Sequence, residues 1–172
     1  SINKTDVREA ARRDLRFAYD KATGYLGYEV AGAEILRVSN YDRVLVIRQD
    51  GTYSVVDAPD KLFVGKGMLY CGLVDKDVVF TVLYRDAKGL PYIKRSHIDR
   101  FILNRAYGLV PDGCKLLKLT TETDRKISLD YKPKARLRVL HEEFDISDYP
   151  VRGVKAGGIR LAPRELKSSK IV

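Results

Sequence analysis

At 172 residues the chain has room for one domain or a short array of repeats, and its 45% hydrophobic content supports a packed core and excludes a disordered chain. Its formal charge of +9 is unevenly placed, with nine basic and ten acidic side chains in residues 1–60 but 23 basic and 13 acidic in residues 61–172, a balance that suits a polyanionic partner. Two cysteines with no CxxC pair speak against a disulfide framework or a zinc site and fit a reducing compartment, and no apolar run of about 18 residues is present to span a membrane.

In chain order, residues 5–18 read as a short lead-in helix. Asp6 caps it, Glu9 stands three residues on, and Val7, Ala10, Ala11 and Leu15 recur at helical spacing. Its tail, residues 15–19, alternates and reads equally as a strand. This places a lead-in at 1–21 and a β domain at 22–172. Short runs rich in Val, Ile, Leu and Tyr then follow at 35–38, 43–48, 52–56, 68–73, 78–84, 92–94, 115–119, 126–129 and 136–140, separated by Gly, Asp and Asn. Helices long enough for crossovers between parallel strands are absent from the pattern, so the expected fold is all-β.

Two stretches repeat one grammar. Residues 42–57 and 77–95 each give an Asp, an apolar run, an Arg, a turn ending in Gly, a Tyr and a second strand. A hairpin recurring about every 35–40 residues is the mark of a bladed repeat. A looser third repeat runs from Cys114, with residues 148–161 as a Gly-rich loop and strand, and the stretch from Pro163 through 167–170 reads as a fraying end.

The densest cationic stretch is Lys132-Pro-Lys-Ala-Arg-Leu-Arg138. If extended, it places Lys132, Lys134, Arg136 and Arg138 on one face and the apolar residues on the other. Phosphates relieve the mutual repulsion and release counterions. The plainer reading is an edge strand protected by its charge. A second group is Lys88, Lys94, Arg95, Arg100 and Arg105, with Arg48 and Arg43 bracketing the first hairpin; any of these could instead pair with a nearby Asp, worth about 0–1 kcal/mol when exposed. Glycine clusters at 65–67 and 153–158 hold Lys66 and Lys155 and offer amides to phosphate, or simply turn the chain. Neither has the P-loop pattern. His97 and His141 lie at no triad spacing, and Glu142 and Glu143, as strand neighbours, point to opposite faces. No catalytic residue, metal or cofactor is expected.

The order of these motifs resembles the C-terminal β-pinwheel domain of bacterial type IIA topoisomerase A subunits, those of gyrase and topoisomerase IV. The likeness rests on the lead-in at 5–13 before Gly24-Tyr-Leu-Gly27, on Asp50-Gly-Thr-Tyr-Ser-Val-Val56 leading to Asp60-Lys-Leu-Phe-Val-Gly-Lys-Gly67, and on Tyr84-Arg-Asp86 leading to Tyr92-Ile-Lys-Arg95. It covers nearly the whole chain and lies nearest the divergent topoisomerase IV-like subunits. It implies a β-pinwheel of about three to four blades. Its basic outer edge would bind and bend duplex DNA and present it to the catalytic core carried by the same polypeptide, with a B-type ATPase subunit completing the enzyme. The setting implied is the bacterial cytoplasm, on the nucleoid, with no membrane contact. The start at Ser1 rather than Met suits a piece of a longer protein. The gyrase heptapeptide Gln-Arg-Arg-Gly-Gly-Lys-Gly is absent, Arg152-Gly-Val-Lys-Ala-Gly-Gly158 being the nearest stretch. That departure implies decatenation or relaxation rather than strong chiral wrapping. Two other readings stay open: a protein-interaction propeller with a basic docking face, and a small RNA-binding β domain, ranked last because it lacks a stacked-aromatic signature.

Overall fold

A computed structural model describes residues 14–172, which carry fifteen strands, one 3-10 turn at Ile146–Asp148 and no α-helix. In chain order the strands are β1 (Leu15–Asp20), β2 (Tyr25–Gly27), β3 (Ala33–Val38), β4 (Arg43–Ile47), β5 (Thr52–Asp57), β6 (Leu62–Phe63), β7 (Tyr70–Leu73), β8 (Phe80–Arg85), β9 (Pro91–Ser96), β10 (Tyr107–Gly108), β11 (Lys115–Thr120), β12 (Lys126–Tyr131), β13 (His141–Asp145), β14 (Ile159–Arg160) and β15 (Leu166–Ile171). They pair into four antiparallel sheets, ordered β3-β1-β2-β6, β10-β5-β4-β7, β11-β8-β9-β14 and β13-β12-β15. The chain divides into two compact units, Ser1–Val74 with Phe101–Tyr107, and Asp75–Arg100 with Gly108–Val172.

One rule generates all four sheets. Each is a hairpin with a further strand on the side of its first member. In the first three, a two-residue strand also lies on the side of the second member, and it comes from the following repeat: β6 returns to β2, β10 to β5 and β14 to β9. This strand exchange fits the β-pinwheel that the family resemblance implies.

The turns explain why the hairpins form where they do. At the β4–β5 tip, Gly51 sits at φ 86°, its N–H donates to Arg48 O at 3.0 Å, and Asp50 Oδ1 accepts from Thr52 N at 3.0 Å. At the β8–β9 tip, Gly89 sits at φ 82°, its N–H donates to Asp86 O at 3.0 Å, and Asp86 Oδ1 accepts from Lys88 N and Leu90 N, each at 2.9 Å. Positive φ is nearly free for glycine and costs other residues roughly 1–2 kcal/mol.

Each unit holds its own core. In the first, Phe17, Leu26, Val38, Val44 and Val46 meet; in the second, Leu83, Ile93, Ile127, Leu129 and Tyr131. Ile127, Leu129 and Tyr131 lie two residues apart along β12, so strand alternation turns all three inward. Truncating such a side chain to Ala costs about 2–5 kcal/mol.

Four expectations change. The helix predicted over 5–18 falls mostly outside the described residues, and where it enters them, from Leu15 on, the chain is strand β1. A lead-in ending at residue 21 would exclude β1, yet β1 is an inner strand of the first sheet, where its apolar Phe17 and Tyr19 are buried on one face. The expected fraying end is β15, paired along β12 from Ile127↔Ile171 to Tyr131↔Leu166. No strand forms over 136–140: β12 already has β13 and β15 on its two sides, and Pro133 has no N–H to offer a ladder.

Candidate functional site

The fourth hairpin departs from the others at its tip. Tyr131 N donates to Leu140 O at 2.9 Å and closes the base, Leu137 N donates to Lys134 O at 3.0 Å, and Arg136 takes φ 66°, the left-handed conformation that glycine takes in the shorter tips. The predicted alternation of charge on one strand face therefore does not exist. Lys132, Lys134, Arg136 and Arg138 instead project, all exposed, from an irregular loop.

This loop, the β8–β9 turn and the segment ahead of β15 enclose a cleft of about 570 Å³, lined by Lys88, Leu90, Lys132, Pro133, Lys134, Leu137, Pro163, Arg164 and Glu165. Backbone bonds fix its walls: Lys132 N donates to Glu165 O at 3.0 Å, and Leu166 N to Gly89 O at 2.9 Å. Desolvation opposes ionisation of Asp86, yet the N–H groups of Leu90 and Lys88 hold its carboxyl below the ordinary carboxylate range, so the turn carrying Lys88 is fixed by an ionised cap.

Of the cleft's cations, Arg164 is held by the most side-chain contacts, through Glu142 and Tyr131 behind the lining. Glu142 Oε1 accepts from the Tyr131 hydroxyl at 2.9 Å and from Arg164 Nη1 at 3.0 Å, while the Arg164 guanidinium lies 5.6 Å over the Tyr131 ring. Burial raises the Tyr131 pKa, and its bond to Glu142 adds to the rise, so this hydroxyl stays a donor. At the rim, Lys132 Nζ meets Glu165 Oε1 at 2.8 Å with both side chains about half exposed. Such a pair opens at little cost. The cleft thus gathers four cations, one of them locked to Glu142 and one loosely held by Glu165.

The other predicted residues scatter. Lys94 is 7% exposed, and its ammonium donates to Leu109 O at 2.9 Å and to Val154 O. Burial lowers its pKa. Arg95 is 8% exposed and donates from Nε to Thr81 Oγ1 at 3.2 Å and from Nη1 to Tyr149 O at 2.8 Å. Both cations are spent inside the second unit. Arg48 is half-buried and bonded to Ser54 Oγ at 2.9 Å; Arg105 lies exposed over Tyr107; Arg100, Arg152, Lys155 and Lys66 are exposed and do not line the cleft. The glycine clusters spend amides internally: Gly65 N donates to Gly24 O, Gly158 N to the Tyr84 hydroxyl and Ala156 N to Gly153 O. Arg164 and Glu165 are not legible in the sequence, because they lie in the stretch that reads as a fraying end, with no local pattern to mark them.

Comparison with known proteins agrees with this architecture. The family model for the topoisomerase C-terminal domain of Bacteroidota matches residues 16–171. The A subunit of DNA topoisomerase 4 from Borreliella burgdorferi is 24% identical over 180 residues, an alignment covering 98% of this chain and 27% of that protein. The chain therefore spans about a quarter of the length of this relative.

Proposed function

The chain belongs to the topoisomerase C-terminal domain family of Bacteroidota, and on that premise we propose that it is the DNA-holding domain of a type IIA topoisomerase A subunit. The observation that carries the reading is the cleft in which Lys88, Lys132, Lys134 and Arg164 converge beside one weakly engaged carboxylate, Glu165. A phosphate seated there competes with Glu165 for the Lys132 ammonium. The pair it displaces is worth about 0–1 kcal/mol, so counterion release from the duplex dominates the balance. Arg136 and Arg138, exposed on the same loop, extend the contact along the phosphate backbone. Contacts of this kind fix position and read no sequence. Bending a site of 20–30 bp costs of order 1–6 kcal/mol, which several such contacts together offset. Arg152 and Lys155 supply further exposed cations in the same unit.

The parent protein is read as topoisomerase IV-like, carrying the catalytic core in its own polypeptide and working with a separate ATPase partner. The name and length of the Borreliella relative support this. The degenerate stretch at 152–158 supports decatenation or relaxation over strong wrapping.

The test is ligation of nicked circular DNA in the presence of the chain, with products resolved by linking number, alongside binding to linear duplex across a salt series. A linking shift that grows with protein supports bending. Salt-sensitive binding without a shift supports holding alone. The absence of both effects would sink the DNA reading and leave the basic face as a docking surface for an acidic protein.

A further inference from the structure

We infer that β13 is an acceptor edge that takes an added strand of basic and apolar residues from another polypeptide segment. The inference starts from the exchange rule. The second hairpin strands β2, β5 and β9 each carry a short donated strand, whereas β13, the fourth such strand, has β12 on one side and no partner on the other among the described residues.

Backbone parity shows what that side offers. Tyr131 N bonds to Leu140 O across the hairpin base, and Lys126 and Val172 exchange both N–H···O bonds on the β15 side of β12. In an antiparallel ladder these directions alternate. Glu142 and Phe144, opposite Leu129 and Ile127, therefore point their backbone groups at β12, and Glu143 turns its N–H and C=O outward. An open row of that kind is a template for strand addition.

The side chains choose the partner. Two of the three donated strands bring a cation to an aromatic acceptor: Lys61, next to β6, lies 4.6 Å over the Tyr25 ring, and Arg160 of β14 pairs in register with Tyr92. His141 stands opposite Asp130 as Tyr25 stands opposite Asp20, so it marks the equivalent position in the fourth hairpin. There the ring is an imidazole, and an exposed carboxylate, Glu143, follows two residues on, while Glu142 is taken up by Tyr131 and Arg164. The exposed Glu143 faces His141 Nε2 at 3.8 Å. A cation on the incoming strand would meet the Glu143 carboxylate beside that ring. Self-pairing of two β13 edges would set like charges against each other and is disfavoured. Because donated strands engage only two residues, a short segment suffices.

The probe is a synthetic peptide with the sequence of residues 154–163, Val-Lys-Ala-Gly-Gly-Ile-Arg-Leu-Ala-Pro, added to the full chain. Amide exchange is followed residue by residue, and affinity by a fluorophore on the peptide. The expected result is saturable binding with exchange at Glu143 slowed about tenfold or more. A peptide of equal charge with proline in place of its isoleucine should fail, because strand pairing needs that N–H. Glu143→Pro removes the outward donor and should abolish protection; should that variant not fold, Glu143→Lys should weaken binding through charge alone. Three results would overturn the inference: no protection at Glu143 at saturating peptide, equal binding by the proline peptide, or Glu143 protection that rises with protein concentration and no peptide. Duplex binding measured in parallel should stay unchanged, so this outcome is separable from the DNA reading.

Discussion

The β4–β5 and β8–β9 hairpins close within a few residues on an ionised aspartate and a left-handed glycine, whereas the fourth runs through nine residues, 132–140, on cations and a left-handed arginine. The first kind of tip is a folding device: its carboxylate and glycine set the register of the strands. In the fourth, register is set by β12 itself, which is paired on both sides and buries Ile127, Leu129 and Tyr131. A tip relieved of that task can lengthen and gather charge. Structure-setting residues and exposed cations are thus divided between tips.

The largest effect that would break this comparison concerns DNA. Replacing Lys132, Lys134, Arg136 and Arg138 together with Ala should lower duplex affinity on the order of a hundredfold at moderate salt and flatten the log–log salt slope by as much as about 3–4. Folding should move by less than about 0.5 kcal/mol, since all four are exposed. Electrophoretic titration across a salt series reads both; an unchanged slope would remove the loop from the interface.

A somewhat smaller effect separates buried from exposed cations. Lys94→Ala should destabilise the chain by about 2 kcal/mol, because Leu109 O and Val154 O lose their donor. The salt slope of DNA binding should not change. A folded variant with a reduced slope would return Lys94 to the interface.

The turns themselves can be exchanged in kind. Gly51→Ala should cost about 1 kcal/mol through strain at φ 86°. Arg136→Gly, relieving φ 66°, should be neutral or stabilising in denaturant unfolding. An equal loss from both would mean that the fourth tip sets register after all.

The smallest effect is in acid. Hydrogen bonding, led by the Thr52 side chain, holds Asp50 below its ordinary pKa of 3.8, and Asp86 is likewise lowered. A carboxyl with a folded pKa below its unfolded value binds fewer protons when folded. The stability it adds is therefore present above about pH 3.8 and lost as pH falls below it. Asp86→Asn, which keeps an acceptor but no charge, should flatten the acid limb of thermal midpoint against pH. A limb of unchanged steepness would show that the turn carboxylate adds nothing.

The repeat grammar made the all-β fold, two of its hairpins and their glycine turns legible, because tips and apolar alternation are local features with a fixed chemical cause. Local pattern also marked Lys132, Lys134, Arg136 and Arg138 as a dense run of cations. It misplaced them on a strand, because whether an alternating stretch finds a ladder depends on which strands already flank its neighbour. Burial of Lys94 and Arg95 was decided by Leu109, Tyr149 and Val154, distant in the chain and brought in by the fold. Arg164 reached the cleft for the same reason, carried there by the pairing of β15 with β12. The sequence by itself determined the turns, the strand period and the charge of each segment. Only the tertiary structure decided which charges remain exposed, because desolvation and long-range hydrogen bonding are set by neighbours that no local window contains.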